Sequence, residues 1–247
     1  MQTTSKLLMV RPARFAFNAE TAQNNFFQQQ VESDTVTEEA VEEFDAFVQL
    51  LRGNDLDVTV VQDTLEPPTP DALFPNNWFS SHITGELVLY PMFAGNRRME
   101  RRPEIIDLLR RKMNHRKLVD LTHWENEGGF LEGTGSMVLD RRKRIAYCCR
   151  SPRTSERVLA DFCSRMSYDA IVFDALDQVV CFAGNMLEVK SRNGTPLMVM
   201  SSSARNTLTP VQESTISTFN RIVAANLQTI EAVGGGSARC MMAEIFY

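Results

Sequence analysis

The sequence has no long hydrophobic run. Between Met1 and Arg14 its longest apolar stretch is Leu7-Leu8-Met9-Val10. A secretory signal needs a longer apolar core, and a membrane span needs about 20 residues. The expectation is a soluble, cytoplasmic protein with no membrane partner. Cysteine is scarce, with five residues in all. The number is odd, Cys148 and Cys149 are adjacent, and no CxxC or Cys/His ligand spacing occurs. That pattern excludes a disulfide framework and a zinc site, and points to reduced thiols and no metal. Positive charge is also short: 26 Lys and Arg stand against 31 Asp and Glu, for a net charge of −5. A dedicated nucleic-acid or anionic-membrane binder is normally basic, so neither partner is expected. A small anionic substrate stays compatible, because a local pocket can oppose the net sign. With 12 Gly and 10 Pro in 247 residues, the chain is neither collagen-like nor low in complexity. No cofactor motif is present either. Thr134-Gly135-Ser136 lacks the lysine and spacing of a phosphate loop.

What is present is a recurring β-β-α-β pattern. Lys6–Pro12 reads as a buried strand. Thr37–Leu51 places apolar residues at helical steps, and Asp57–Gln62 alternates as a strand. A second copy runs through a hairpin over Trp78–Ile83 and Glu86–Met92, a basic helix at Arg98–Asn114 and a strand at Lys117–Leu121. A third pairs Ser136–Asp140 with Arg144–Cys149, followed by a helix at Ser155–Met166 and a strand at Ala170–Ala175. The last has strands at Met186–Lys190 and Pro196–Ser201, a helix from Pro210 to Leu227 and a closing strand at Met241–Phe246. Four copies favour a repeat architecture over a doubly wound sheet, which needs single β-α alternation.

The loops between copies carry the candidate chemistry. Cys240 follows Gly234-Gly235-Gly236-Ser237-Ala238-Arg239. Glycines permit close approach to a ligand, and Arg239 favours thiolate, the nucleophilic form of cysteine. On composition alone the favoured reading is a buried structural cysteine at the start of the last strand. Glu132 stands between glycines in Leu131-Glu132-Gly133-Thr134-Gly135. It is either a solvated loop carboxylate or a partner for the paired N–H groups of a guanidinium or ureido head. Asn76 and Asn77, beside Phe74 and Trp78, suit a planar polar substrate or simple turn chemistry. His82, His115 and His123 read as structural, His115 on a solvated face. The short basic clusters from Arg97 to Arg102 and from Arg141 to Arg144 read as solvated faces or turns.

FPNNWFS, NRRMERR, LEGTGSMVLD, AYCCRSPRT, FAGNMLEV and GGGSARCMMAEIF occur in that order from Phe74 to Phe246. Together they resemble the amidinotransferase/arginine-deiminase superfamily, the penteins, and within it a bacterial citrulline-hydrolase-like branch. The resemblance implies one pentein-type α/β propeller domain over 1–247, built of ββαβ units around a site for a small amino-acid-like molecule. It implies a hydrolase of C–N bonds in a ureido or guanidino compound, citrulline or arginine-like, with no cofactor. Cys240 matches the family's nucleophile and Glu132 its substrate-gripping carboxylate. Arg153 matches an arginine that holds an amino-acid carboxylate. Asn77 stands where deiminases have an aspartate, which favours a neutral ureido head. The family has five units and this chain shows four. The segment carrying the catalytic histidine has no counterpart near residues 175–181, and none of the three histidines matches its motif. Impaired hydrolysis is therefore expected, and a non-catalytic binding protein is the alternative. Unpaired faces left by a missing unit would associate, giving a homo-oligomer.

Overall fold

The computed structural model describes residues 2–23, 25, 27–30, 35–174 and 184–247. The junction expected near residues 175–181, with Leu176 to Val180 and the first residues of FAGNMLEV, lies outside the described residues. The chain forms two compact units. One comprises Thr3–Phe74 and Asp177–Met242; the other comprises Met1–Gln2, Pro75–Leu176 and Ala243–Tyr247.

The first unit opens with β1 (Lys6–Arg11), the short α1 (Ala19–Ala22), α2 (Val36–Gly53) and β2 (Asp57–Gln62). β1 and β2 pair in parallel from Lys6↔Asp57 to Arg11↔Gln62. A parallel pair needs a crossover, and α2 supplies it. Its buried stripe is Val36, Ala40, Phe44, Phe47, Val48 and Leu51, at the steps of three and four residues that the sequence shows.

The chain then builds two ββαβ copies in the second unit. The first copy holds β3 (Phe79–Ser81), β4 (Glu86–Leu89), α3 (Pro103–Asp107) and β5 (Lys117–Asp120). The second is preceded by a one-turn helix, α4 (Gly133–Ser136). It holds β6 (Met137–Asp140), β7 (Ile145–Cys149), α5 (Glu156–Met166) and β8 (Asp169–Phe173). In both sheets the first pair is antiparallel and the second parallel. Returning to the first unit, the chain forms β9 (Leu187–Lys190), β10 (Pro196–Ser201), α6 (Ser202–Asn206), α7 (Pro210–Phe219), β11 (Arg221–Ala225) and α8 (Ala238–Met241). β9 to β11 repeat the antiparallel-then-parallel pairing. β12 (Ala243–Glu244) lies in the second unit. The described residues thus hold four small sheets of three strands, the repeated α/β pattern expected.

Three elements differ from the sequence reading. The basic helix over Arg98–Asn114 is broken. Arg102 is extended (φ −67°, ψ 135°) ahead of Pro103, since proline disfavours helix at the residue before it. The helix from Pro210 stops at Phe219, and Arg221–Ala225 is a strand paired to β10. Its β-branched Ile222 and Val223 suit a strand, and pairing prevails over a helical pattern. The closing strand shrinks from Met241–Phe246 to β12, its first residue, Met241, belonging to α8.

Each unit has its own core. In the first, Phe44, Phe47, Leu51, Leu73 and Phe74 meet Val199, Leu227 and Met241. In the second, Tyr90, Leu131, Ala146, Val158, Phe162 and Tyr168 form one cluster.

Candidate functional site

Three of the predicted residues come together in the second unit. Glu132 ends a short loop stitched to its neighbours: Leu131 N–H donates to Pro91 O at 3.0 Å, and Leu131 bridges Thr154. Gly133 follows with φ +28°, and a Cβ there would collide with the Asn76 carbonyl oxygen. Only glycine lets the Glu132 loop lie against the Asn76-Asn77 turn. Ser136 then ties two stretches of chain. Its hydroxyl accepts from Glu132 N–H at 2.9 Å and donates to Arg153 O at 2.7 Å.

Glu132 is not a solvated carboxylate; it is 1% exposed. Phe93 N–H donates to its Oε1 at 3.0 Å, while Arg153 Nη1 lies 3.7 Å and Arg97 Nη1 4.0 Å from its Oε2. A buried carboxylate requires such partners, because an unpaired one costs several kcal/mol. Asn77 is also buried. Its Oδ1 accepts from Arg97 Nη1 at 2.9 Å, and its Nδ2 donates to Thr134 Oγ1 at 3.4 Å. Those two partners assign the amide's orientation. Arg153 is partly exposed, and its Nε is buried with no hydrogen-bond partner among the described residues. This nitrogen is an unfilled donor.

Arg97 is the residue that sequence reasoning missed. Read as part of a solvated basic face, it is buried and holds Glu100 through two bonds, Nε to Oε1 at 2.8 Å and Nη2 to Oε2 at 3.0 Å. The signal was present: Glu100 stands three residues on within NRRMERR, a spacing that brings two side chains to one face. Next to it, Glu125 accepts from Met92 N–H at 2.8 Å and from Arg101 Nη2 at 2.9 Å.

Cys240 belongs to the first unit. A Cβ at Gly236 would come within 2.7 Å of the Phe74 ring, so the strand of glycines packs directly on that aromatic. Ser237 donates to Glu231 Oε1 at 2.6 Å, and Cys240 N–H bonds Ser237 O at 2.9 Å. Asn185 clamps the residue pair: its Oδ1 accepts from Arg239 N–H at 2.9 Å and its Nδ2 donates to Cys240 Sγ at 2.9 Å. Cys240 is partly exposed, and its sulfur carries an amide donor, which suits an electron-rich acceptor. Asn185 lies in FAGNMLEV but was not singled out as a site residue.

The histidines stand elsewhere. His82 is buried, with Nε2 at 2.9 Å from Ser80 Oγ. His115 is not on a solvated face; it is buried, and neither ring nitrogen has a hydrogen-bond partner among the described residues. His123 Nε2 lies 4.0 Å from Asp161 Oδ2. No hydrogen bond joins any of the three to Asn77, Glu132, Arg153 or Cys240 among the described residues. Among those residues no group of three His, Cys, Asp or Glu is placed to hold a metal ion. No helix there is long and apolar enough to cross a membrane.

Several solved structures share the fold. The N-terminal domain of ArgZ, covalently bound to a reaction intermediate, superimposes with a TM-score of 0.73 at 14% identity, over 97% of each chain. The same domain bound to substrate, described as an arginine dihydrolase from the ornithine-ammonia cycle in Cyanobacteria, gives 0.71 at 13% identity over 98% of each chain. A dimethylarginine dimethylaminohydrolase carrying an S-methyl-L-thiocitrulline adduct gives 0.64 at 14% identity, over 98% of this chain and 99% of that one. No curated protein matches at the level of sequence. A family model described as N,N dimethylarginine dimethylhydrolase, eukaryotic, matches residues 11–179 and 175–247, two stretches that meet at the junction singled out in the sequence. The chain therefore belongs to the eukaryotic N,N-dimethylarginine dimethylhydrolase family, within the pentein superfamily that its motifs resemble.

Proposed function

We propose that this protein acts on a C–N bond of an arginine-like guanidino compound, with Cys240 as the nucleophile. The thiolate adds to the guanidino carbon, an amine leaves, and a thiouronium-type adduct forms on sulfur. Water then releases a ureido product and returns the thiol. Citrulline-like compounds enter this reading as the product class, since hydrolysis of a guanidine gives a urea. Glu132 and Asn77 are assigned to the planar head and Arg153 to the amino-acid carboxylate. The observation that supports this best is the buried Glu132, fixed by Phe93 N–H and flanked by two guanidiniums, beside an Arg153 nitrogen with no hydrogen-bond partner among the described residues.

The histidines favour a slow enzyme. A missing general acid or base costs about 10²–10⁴-fold in rate. The reading is therefore a protein whose thiol reacts with guanidino electrophiles while turnover is weak, in a cytoplasmic setting that keeps thiols reduced. The second reading, a non-catalytic binding protein, rests on the same histidine positions. Labelling with a haloacetamidine separates the two. Modification confined to Cys240, blocked by dimethylarginine or arginine, supports the enzyme; an inert Cys240 in the folded chain supports the binding protein.

Self-association is proposed for the sheet of β6 to β8. Val138, Tyr147 and Ile171 form one cross-strand row, and Val138, Ile171 and Phe173 are exposed. Exposed apolar faces of this kind mark association surfaces. Ile171→Thr should lower the association constant by about tenfold in sedimentation at several concentrations, using about 1.5 kcal/mol for one buried apolar side chain.

A further inference from the structure

The unit that holds Glu132 also has a polar cavity lined by none of the residues assigned to the reaction. A cavity of about 140 Å³ is lined by His82, Thr84, Arg141, Arg144, Tyr168 and Phe246, among others. Three observations single it out. The Tyr168 side chain is buried, at 6% exposure, yet its hydroxyl has no hydrogen-bond partner among the described residues. A buried donor left unmade is costly, and native chains rarely keep one. Arg144, on the turn between β6 and β7, stacks 5.1 Å from the Tyr168 ring centre and makes no ion pair among the described residues. Arg141 stacks 4.2 Å from the Phe246 ring centre. It donates to Ser81 O at 3.0 Å, and its nearest carboxylate, Glu244, is 3.9 Å away.

The cavity therefore has two guanidiniums and one peripheral carboxylate. His82 does not reverse this balance. Its Nδ1 faces Arg141 Nη1 at 3.4 Å, so the ring accepts there and carries its proton on Nε2 toward Ser80. Burial, then the charges of Arg141 and Arg144, hold its pKa well below the usual imidazole range, so it stays neutral. A neutral imidazole, two cations and an unfilled hydroxyl donor make an enclosure that asks for negative charge. A water molecule would satisfy the hydroxyl but leave the charge uncompensated. The volume admits an ion of a few heavy atoms and excludes a nucleotide.

We propose that this cavity binds a small oxyanion, inorganic phosphate or the carboxylate of a small acid, held between Arg141 and Arg144 with the Tyr168 hydroxyl as a third donor. Guanidinium forks match both kinds of anion.

Thermal unfolding at constant ionic strength tests the proposal without reference to activity, because a ligand of the native state raises the melting temperature. Phosphate and acetate are titrated separately against chloride. A rise in either arm identifies the anion; the expected rise is a few degrees. In Arg144→Gln and Tyr168→Phe the apparent affinity should fall about tenfold or more. Tyr168→Phe should be at least as stable as the parent in chloride, since it deletes an unpartnered hydroxyl. No rise in either arm overturns the proposal. So does a rise that persists unchanged in either variant.

Discussion

Cys148 lies inside β7 with no exposed surface, and burial, reinforced by Cys149 and Cys163, pushes its thiol up to about 12. Cys240 stands partly exposed on a one-turn helix behind three glycines, with an amide N–H 2.9 Å from its sulfur. The atoms are the same; the surroundings differ in solvent access and in whether a donor meets the sulfur. Nucleophilic chemistry needs thiolate, so burial without a donor makes one cysteine a packing group. The other is the one that the proposed function assigns to the reaction.

The largest effect should come from removing the exposed thiol. Cys240→Ala should abolish haloacetamidine labelling by mass spectrometry and any turnover, whereas Cys148→Ala should leave both unchanged; label found on Cys148 in folded protein would break the contrast. Next is Glu132→Gln. It leaves the buried Arg97 and the partly exposed Arg153 with less compensation, and urea unfolding should show a loss of about 1–3 kcal/mol. Asn185→Ala tests the donor at the sulfur. It should slow labelling by about fivefold, the worth of one hydrogen bond of about 1 kcal/mol, with urea stability little altered. The smallest effect concerns pH. His82 is depressed by burial and by Arg141 and Arg144. Unfolding lets it take up a proton that the folded chain does not hold, so its contribution to stability is present above about pH 6.5 and is lost as pH falls below that value. His115 is lowered by burial and acts in the same direction. The melting temperature should drop between pH 7.5 and 5.5, and His82→Gln should flatten part of that slope.

The strands were legible where alternation or a continuous apolar run met a turn signal. Asp57–Gln62 and Pro196–Ser201 emerge with the bounds read from the sequence. The stretch after Pro210 was misread because Ile222 and Val223 fit either period, and the partner strand that decides between them is distant in the chain. Among the site residues, Asn77, Glu132 and Arg153 do converge, from stretches far apart in sequence. Arg97 escaped notice because its burial depends on Glu100, Asn77 and Glu132 closing around it. Charged residues in a basic run look alike until the fold selects one. The orphan hydroxyl of Tyr168 had no sequence signal at all, since an unmade hydrogen bond is a property of packing alone.

The Ser136 hydroxyl has a consequence of its own. By bonding Glu132 N–H on one side and Arg153 O on the other, it rivets two stretches of backbone whose side chains, Glu132 Oε2 and Arg153 Nη1, stand 3.7 Å apart. Ser136→Ala should therefore loosen a charge pair that the hydroxyl itself never touches.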